Sequence, residues 1–351
     1  MVTLGIVANP ASGKDVRRLV ARASVFDNPE KQAIVQRVLA GMDGVLAGTD
    51  WKLAYLDDGH GIVRQAIADV LKDTVAVETV AAETGSAIDT TRAARALKQA
   101  GTAVNITLGG DGTNRAFALG WDDAPLIPIS TGTNNVFPRL MEATVAGAAA
   151  GLVAAGLVQL EEVAAQQKII RVAVEDESDD LALIDAVLVA ERFVGARALL
   201  SPENLRSALL TVGDPAAVGM TSIGGLMSPL DQRTDAGLHI EFATEAGTAT
   251  RVRAPIAPGY YRDLWVDACN NIEFGQTLRC SGPGVLAFDG ERERVLKPGQ
   301  TATLTVERTG PWVVEVPKAL RLAAERGLFI ERARPARSEA RESQEGAIHA
   351  H

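Results

Sequence analysis

Residues 105–117 read NITLGGDGTNRAF, so that two adjacent glycines, an aspartate and a third glycine follow an apolar, strand-like run. Glycine lets a backbone turn sharply and approach another group closely, and it lowers stability wherever neither property is needed. The pattern is typical of a tight turn at the end of a buried strand. Such a turn either only redirects the chain or also forms a binding site for phosphate.

Strand-like and helix-like patterns alternate around this stretch, over about the first 140 residues. Short apolar runs at 2–9, 102–110 and 124–130 predict buried strands, and the periodic segments 28–44 and 86–101 predict helices. Strands that alternate with helices favour a parallel sheet. We therefore expect an α/β N-terminal domain whose parallel sheet carries helices on both faces.

The pattern changes after about residue 160. Short, largely alternating runs such as 168–176, 181–191 and 301–308 are separated by turn residues, with no helix of comparable strength between most of them. This spacing is typical of antiparallel strands. We expect an all-β, antiparallel sandwich-like C-terminal domain, followed by a helix over 317–329 and a disordered tail.

The composition of the whole chain narrows the classes of partner. The 351 residues carry a formal net charge of −9, which leaves no basic surplus to neutralise the phosphates of double-stranded nucleic acid. No secretory signal is visible, and the longest apolar run, 144–160, is shorter than the roughly 20 residues that span a bilayer. We predict a cytoplasmic protein with no nucleic-acid partner and no integral membrane segment. Cys269 and Cys280 are predicted to be buried, reduced thiols.

Three turns rich in Gly, Asn, Ser or Thr follow predicted strands, at 9–15, 109–113 and 130–135. The carboxyl ends of parallel strands lie at one edge of a sheet, where ligands bind, and converging donors of this kind suit phosphate oxygens. Asp111 would repel phosphate directly, but it has a use if it binds Mg²⁺ or a substrate hydroxyl. Any one of these turns alone is equally an ordinary strand-to-helix connection. Three of them at one edge favour a binding site.

Two common nucleotide motifs are excluded. The segment SGKD resembles part of the Walker A motif. That motif needs Gly at position 8 and Ser or Thr at position 15, whereas this chain has Ala8 and Asp15. No G-x-G-x-x-G segment opens a helix after a strand.

Four ordered segments carry a family resemblance. NPASGK (9–14) and GGDGT (109–113) resemble the superfamily that joins NAD kinases to diacylglycerol and sphingosine kinases. PISTGTNNVFPRL (128–140) and AFDGERER (287–294) are similar to segments of its lipid-kinase branch. The resemblance covers roughly residues 1–330 and lies nearest the ATP-NAD kinase group of the acetoin-catabolism protein X type. It implies an active site in the cleft between an α/β domain and a β-rich domain.

The resemblance also implies roles for individual residues. Asp111 and Asp289 would be catalytic, Asp111 at the metal or the acceptor hydroxyl and Asp289 as a general base or part of a metal network. Asp185 and Glu291 would contact the acceptor. The nucleotide would be bound by Asn9, Gly109, Gly110, Gly112, Thr113, Thr131, Gly132, Thr133 and Asn134. Without the resemblance, Asp289-Gly290 is read as a hairpin turn between alternating strands.

The resemblance to each branch is incomplete. Ile184 and Asp185 stand where NAD kinases carry an Asn-Glu pair that holds the dinucleotide. Lipid kinases continue GGDGT with Leu-Asn-Glu, whereas this chain has Asn114-Arg115-Ala116. The leading hypothesis is an ATP- and Mg²⁺-dependent kinase that phosphorylates a hydroxyl of a small acceptor, with NAD first. The alternatives are a lipid kinase of the diacylglycerol or sphingosine type and a catalytically silent nucleotide sensor.

The expected organisation follows from these assignments. A nucleotide-binding α/β domain is expected at 1–145 and a β-rich substrate domain at 146–316. A C-terminal helix at 317–332 would return to the first domain, and 333–351 would be a disordered tail. We also expect a homo-oligomer, either a dimer or a tetramer.

Overall fold

The computed structural model describes residues 1–12, 26–71, 75–132, 134–190, 202–244 and 247–330. The predicted disordered tail and residues 13–15 of the first turn lie outside these ranges.

A seven-stranded sheet, in the order β3-β2-β1-β4-β5-β18-β6, forms the first lobe. All paired strands in it are parallel except β6, which runs antiparallel to β18. Its strands are β1 (Val2–Ala8), β2 (Trp51–Asp57), β3 (Ala76–Ala81), β4 (Val104–Gly109), β5 (Pro125–Ser130), β6 (Ala164–Gln166) and β18 (Trp312–Val314). The sheet thus takes two of its strands from the stretch predicted to be the second domain.

Helices cover both faces of this sheet, as the sequence predicts. One core contains alternate residues of β1 such as Leu4 and Ile6 together with α1, α2, α5 and α8, and the opposite face packs against α3 and α4. The helices are α1 (Asn28–Leu46), α2 (Ile62–Val70), α3 (Ala87–Gln99), α4 (Asp111–Ala118), α5 (Ala143–Ala154), α6 (Leu160–Val163) and α8 (Val316–Glu325). Because both faces are covered, β1 and β4 read as nearly continuous apolar runs.

Two antiparallel sheets form the second lobe, which confirms the predicted sandwich. One has the order β12-β13-β11-β10-β9-β15-β16 and the other β14-β17-β7-β8. Their strands are β7 (Ile169–Val174), β8 (Asp180–Ala182), β9 (Asp185–Val189), β10 (Leu205–Leu210), β11 (Ala236–Phe242), β12 (Thr250–Ala257), β13 (Tyr260–Glu273), β14 (Thr277–Ser281), β15 (Gly284–Phe288), β16 (Glu291–Leu296) and β17 (Thr301–Glu307). The inner faces share one core, which includes Cys280.

Three details differ from the expected pattern. A helix, α7 (Met220–Met227), packs on the outer face of the larger sheet, where the sequence predicts no strong helix. The run 181–191, which the sequence predicts as one strand, is interrupted at Leu183-Ile184, between β8 and β9. Cys269 is half-buried rather than fully buried.

The two lobes share a continuous apolar contact. Phe117 of α4 belongs to the same core cluster as Ile169 of β7 and Leu181 of β8. The helix that begins within the GGDGT segment therefore packs directly on the second lobe.

Candidate functional site

Three loops meet at one edge of the first sheet. Strand β4 lies between β1 and β5, and all three are parallel, so that their carboxyl ends point the same way. The N–H of Asn9 donates to the carbonyl of Leu108 (3.0 Å), and the N–H of Thr131 donates to the carbonyl of Gly109 (3.2 Å). We call residues 9–12, 109–113 and 130–137 the rim loops; Thr133 lies outside the described residues.

Side-chain hydrogen bonds join the first rim loop to the other two. The Asn9 amide donates to the Thr113 hydroxyl (2.8 Å), and the Thr131 hydroxyl donates to Ser12 Oγ (3.0 Å). A Cβ atom on Gly109 would clash with the side chain of Thr113. Glycine at 109 therefore lets the second loop fold back on itself beside the first.

Asp111 holds the third rim loop. It is the first residue of α4, and its Oδ1 accepts hydrogen bonds from the N–H groups of Phe137 (2.8 Å) and Val136 (3.1 Å). A Cβ atom on Gly110 would lie 2.8 Å from Asn135 Oδ1, so glycine allows the close approach of this loop. The carboxylate that the sequence predicts as a metal ligand thus also has a structural function.

The remaining predicted nucleotide-binding residues lie in the same loops but differ in exposure. Gly112 is half-buried in the first turn of α4, Gly132 is buried, and Asn134 is exposed. Ser130 Oγ donates to the carbonyl of Gly132 (2.6 Å) and accepts from Asn135 Nδ2 (2.7 Å). These contacts fix the start of the third loop.

A buried lysine supports the first rim loop. Lys31, in the first turn of α1, is fully buried, and its ammonium group donates to the carbonyls of Asn9 (3.0 Å), Pro10 (3.1 Å) and Ser12 (2.8 Å). The loop is therefore wrapped around a positive charge. The sequence gives no sign of this, because a lysine in an amphipathic helix normally lies on the exposed face.

Asp289 lies in the second lobe, at the turn between β15 and β16. Asp289 and Gly290 both have positive φ values, 49° and 79°, which is the backbone of a two-residue hairpin turn. The side chain turns inward, and its oxygens accept from the N–H groups that follow β8: Leu183 (2.9 Å), Ile184 (2.7 Å) and Asp185 (3.2 Å). The hairpin turn predicted from the residues is thus compatible with the catalytic role that the resemblance implies for Asp289.

The environment of Asp289 favours its neutral form. Burial raises the pKa of Asp289 to about 6, against the opposing effects of three backbone amides and the charge of Arg115. Such a pKa suits proton transfer near neutral pH. Asp185 is half-buried beside it, and Glu291 begins β16 opposite Phe288; the side chain of Glu291 lies outside the described part of the chain.

Arg115 links the two carboxylate-bearing regions, and sequence reasoning did not single it out as a site residue. It lies one helical turn after Asp111, and its guanidinium donates to Asp180 Oδ1 (2.6 Å) and to the carbonyl of Leu181 (2.6 Å) in the second lobe. The same guanidinium lies 5.0 Å from the centre of the Phe288 ring. The rim loops and Asp289 therefore lie at opposite ends of one short chain of contacts.

The rim loops are suited to phosphate and to Mg²⁺. The first amides of α4 have no partner within the helix and lie at its positive end, and the Thr113 hydroxyl accepts from Asn9, which leaves its proton for a ligand. Among the described residues no group of three or more Asp, Glu, His or Cys side chains is arranged so that it could hold a metal ion. Mg²⁺ is commonly held by one or two carboxylates together with substrate phosphates, and the Asp111 oxygens have further lone pairs for it.

A cavity of about 540 Å³ lies at the other end of α4. It borders Asp180 and Leu181, and none of the described rim-loop residues lines it, so it is separate from the described part of the predicted site. Its lining comes from Ala118, Leu119, Gly120, Asp122, Arg171, Val172, Ala173, Asp179, Asp180, Leu181, Thr303 and Thr305.

No helix in the described part of the chain has both the length and the apolar composition of a membrane-spanning segment.

Comparisons with known proteins follow the division into two lobes. A family model for the ATP-NAD kinase N-terminal domain matches residues 4–157, and one for the acetoin catabolism protein X C-terminal domain matches residues 168–309. The chain is 34% identical to acetoin catabolism protein X of Cupriavidus necator, with 95% of each chain covered. A crystal structure of yeast NADH kinase complexed with NADH superposes with a TM-score of 0.53 and 13% identity over 95% of this chain and 89% of that one. At that identity the likeness concerns the fold alone.

Proposed function

Because the chain belongs to the acetoin catabolism protein X family, whose first domain here is of the ATP-NAD kinase type, we propose that it is an ATP-dependent kinase for a hydroxyl of a small acceptor. NAD is the first candidate acceptor, since the yeast neighbour named as an NADH kinase shares the fold. The observation that carries the proposal is the meeting of three donor-rich loops at one sheet edge, joined by the Asn9–Thr113 and Ser12–Thr131 hydrogen bonds.

The reaction needs positioning and charge neutralisation more than covalent help. The acceptor oxygen forms a bond to the γ-phosphorus of ATP, the bond from that phosphorus to the β–γ bridging oxygen breaks, and ADP leaves. The proton of the acceptor hydroxyl passes to a carboxylate. Donors of the rim loops would bind the triphosphate, with Thr113 and the first amides of α4 nearest to it.

The two carboxylates would have different roles. Mg²⁺, when bound, would neutralise charge on the phosphate oxygens, and Asp111 is the residue proposed to hold it. Asp289 would accept the proton of the acceptor hydroxyl, because its pKa of about 6 leaves it ionised at neutral pH yet basic enough to help. Asp185 and Glu291 are proposed to contact the acceptor beside Asp289.

The test is to incubate the purified protein with ATP, Mg²⁺ and NAD and to measure NADP. We expect NADP to form in the wild type and to fall at least about 1,000-fold in Asp111→Asn and Asp289→Asn, since both are placed at the reacting groups. Asp123→Asn is the matched control, because Asp123 is exposed and pairs only loosely with Lys98 (3.5 Å).

The outcomes separate the proposals. ATP binding without NADP would remove NAD as the acceptor, and labelled phosphate appearing in an extracted lipid pool would then support the lipid-kinase alternative. ATP binding with no turnover on any acceptor would contradict the kinase and support a nucleotide sensor.

A further inference from the structure

Arg115 is buried at the boundary between the lobes. It is 5% exposed, although it is a long charged residue one turn after the GGDGT segment. Its partner Asp180 is also buried, and the second oxygen of that carboxylate accepts from Arg294 Nε (3.0 Å) on β16. A buried charge is kept only with well-formed partners, so this arrangement has a strict geometry.

Arg115 contacts residues that lie next to Asp289 and next to the backbone N–H groups that bind it. Asp180 and Leu181 belong to β8, and the next residues along the chain, Leu183–Asp185, give the three N–H groups that bind Asp289. On the other side, the Arg115 guanidinium lies over the ring of Phe288, the residue before Asp289. Arg115 therefore touches the chain on both sides of the Asp289 carboxylate.

The charge of Arg115 also reaches Asp289. Burial raises the pKa of Asp289, and Arg115 is the charged side chain that acts to lower it. Other charged groups on the surrounding elements include Asp111 on α4, Asp185 on β9, the Asp180–Arg294 pair, and the acidic and basic residues 291–293, whose side chains are not described. Arg115 thus contacts the residues around the Asp289 carboxylate and also acts on it electrostatically.

We propose that Arg115 is a positioning residue that aligns Asp289 of the second lobe with the Asp111 loop of the first. This role of Arg115 rests on the proposed kinase function, in which Asp289 accepts a proton from the acceptor while the Asp111 loop binds the triphosphate. Arg115 can align the two carboxylates because it contacts both regions. It belongs to the helix that Asp111 begins, and it binds β8, the strand directly before the N–H groups that bind Asp289. A misplacement of about 1 Å between reacting groups lowers rates about 100-fold.

The test compares Arg115→Met and Arg115→Lys with Arg294→Met. Arg294→Met is the matched control, because Arg294 binds the same carboxylate but lies with it in the second lobe and is partly exposed. Arg115→Met leaves Asp180 paired with Arg294, so the buried carboxylate keeps one partner. Arg115→Lys keeps the positive charge but loses the planar fork that binds two acceptors at once.

The kinetic readout separates positioning from general damage to the fold. In Arg115→Met we expect kcat to fall about 100-fold with the ATP dissociation constant changed less than about 3-fold. The acid limb of the kcat profile should move up by about one pH unit, since removal of a nearby positive charge raises a carboxylate pKa. Arg115→Lys should keep the wild-type acid limb with a reduced kcat, and Arg294→Met should change kcat less than about 5-fold.

A second readout needs no turnover. In protein labelled with ¹³C at the aspartate carboxyl carbons, the Asp289 signal should titrate at higher pH in Arg115→Met, and the amides of Leu183–Asp185 should exchange faster with deuterium. These changes without NADP formation in the wild type would support the coupling and remove only the proposed reaction. The proposal is overturned if Arg115→Met leaves the titration, the amide exchange and kcat unchanged, or if Arg294→Met alters them equally.

Discussion

The side-chain amide of Asn9 donates a 2.8 Å hydrogen bond to the hydroxyl of Thr113, and so joins two loops whose residues are 104 positions apart. The Asn9 side-chain oxygen in turn accepts from the N–H of Ala11 (2.9 Å), which shapes the first loop. The pair therefore orders its own loops and leaves the hydroxyl proton of Thr113 for a ligand.

Thr113→Val should weaken ATP binding at least about 10-fold, because valine has nearly the same shape but no hydroxyl to donate to phosphate. The measurement is the ATP dissociation constant by calorimetry in the presence of Mg²⁺. Thr91→Val is the control: its hydroxyl donates to the carbonyl of Ala116 (2.7 Å) at the far end of α4. Equal affinities in wild type and Thr113→Val would contradict the role of this hydroxyl.

Gly109→Ala should disturb the rim loops, because the added Cβ would clash with the side chain of Thr113. We expect a loss of about 1–3 kcal/mol in the free energy of unfolding and a loss of ATP binding. Gly44→Ala, in α1, is the control, since a Cβ there would meet none of the described residues within 4 Å, and alanine should stabilise that helix by up to about 1 kcal/mol. Urea unfolding and ATP titration of both variants check the prediction.

Lys31→Met should weaken ATP binding, because the first rim loop would lose the ammonium group around which its carbonyls are arranged. We expect a destabilisation of about 2–4 kcal/mol from unsatisfied buried carbonyls. Lys168→Met is a close control: Lys168 is also buried and donates to three carbonyls, those of Asp231, Thr234 and Ala236, but in the second lobe. It should be destabilised comparably while binding ATP normally, and an equal loss of ATP affinity in both variants would count against a specific role for Lys31.

Asp289 should give the protein a characteristic pH dependence. Its pKa is raised to about 6, so the folded state holds this proton more tightly than the unfolded chain. For this group the free energy of unfolding is therefore highest below about pH 4 and declines as pH rises to about 6, by up to about 3 kcal/mol. The difference in unfolding free energy between wild type and Asp289→Asn should follow that decline. A difference that is constant between pH 4 and 7 would contradict the raised pKa.

The rim loops could be predicted from the sequence because the pattern that marks each loop lies within a few neighbouring residues. Glycine-rich turns directly after apolar runs mark the ends of parallel strands, and three such ends on neighbouring strands meet at one edge. The fold class follows from the same periodicity, and the structure confirms it. Residue roles that came from the family resemblance, such as those of Asp185 and Glu291, stay predictions.

What the sequence missed depends on distant partners. Arg115 reaches Asp180, 65 positions away, and Lys31 reaches carbonyls 19 to 22 positions away. Charged residues in amphipathic segments are usually exposed, so nothing local marks these two as buried. The break between β8 and β9 has a similar cause, because the Asp289 carboxylate, more than 100 positions later, orders the turn between them.

Helix α7 escaped prediction for a different reason. Its eight residues, MTSIGGLM, include two glycines and have low helix propensity. Burial of Ile223 and Met220 against the larger sheet stabilises it instead. Tertiary packing of this kind leaves little trace in a short stretch of sequence.

The most direct measurement is a calorimetric titration of the purified protein with ATP and Mg²⁺, in parallel with Asn9→Ala and Asp111→Asn. If the rim loops bind the triphosphate, the wild type takes up one ATP per chain and both variants bind at least about 10-fold more weakly. Absence of ATP binding at millimolar concentration, or equal binding by all three proteins, would contradict the account.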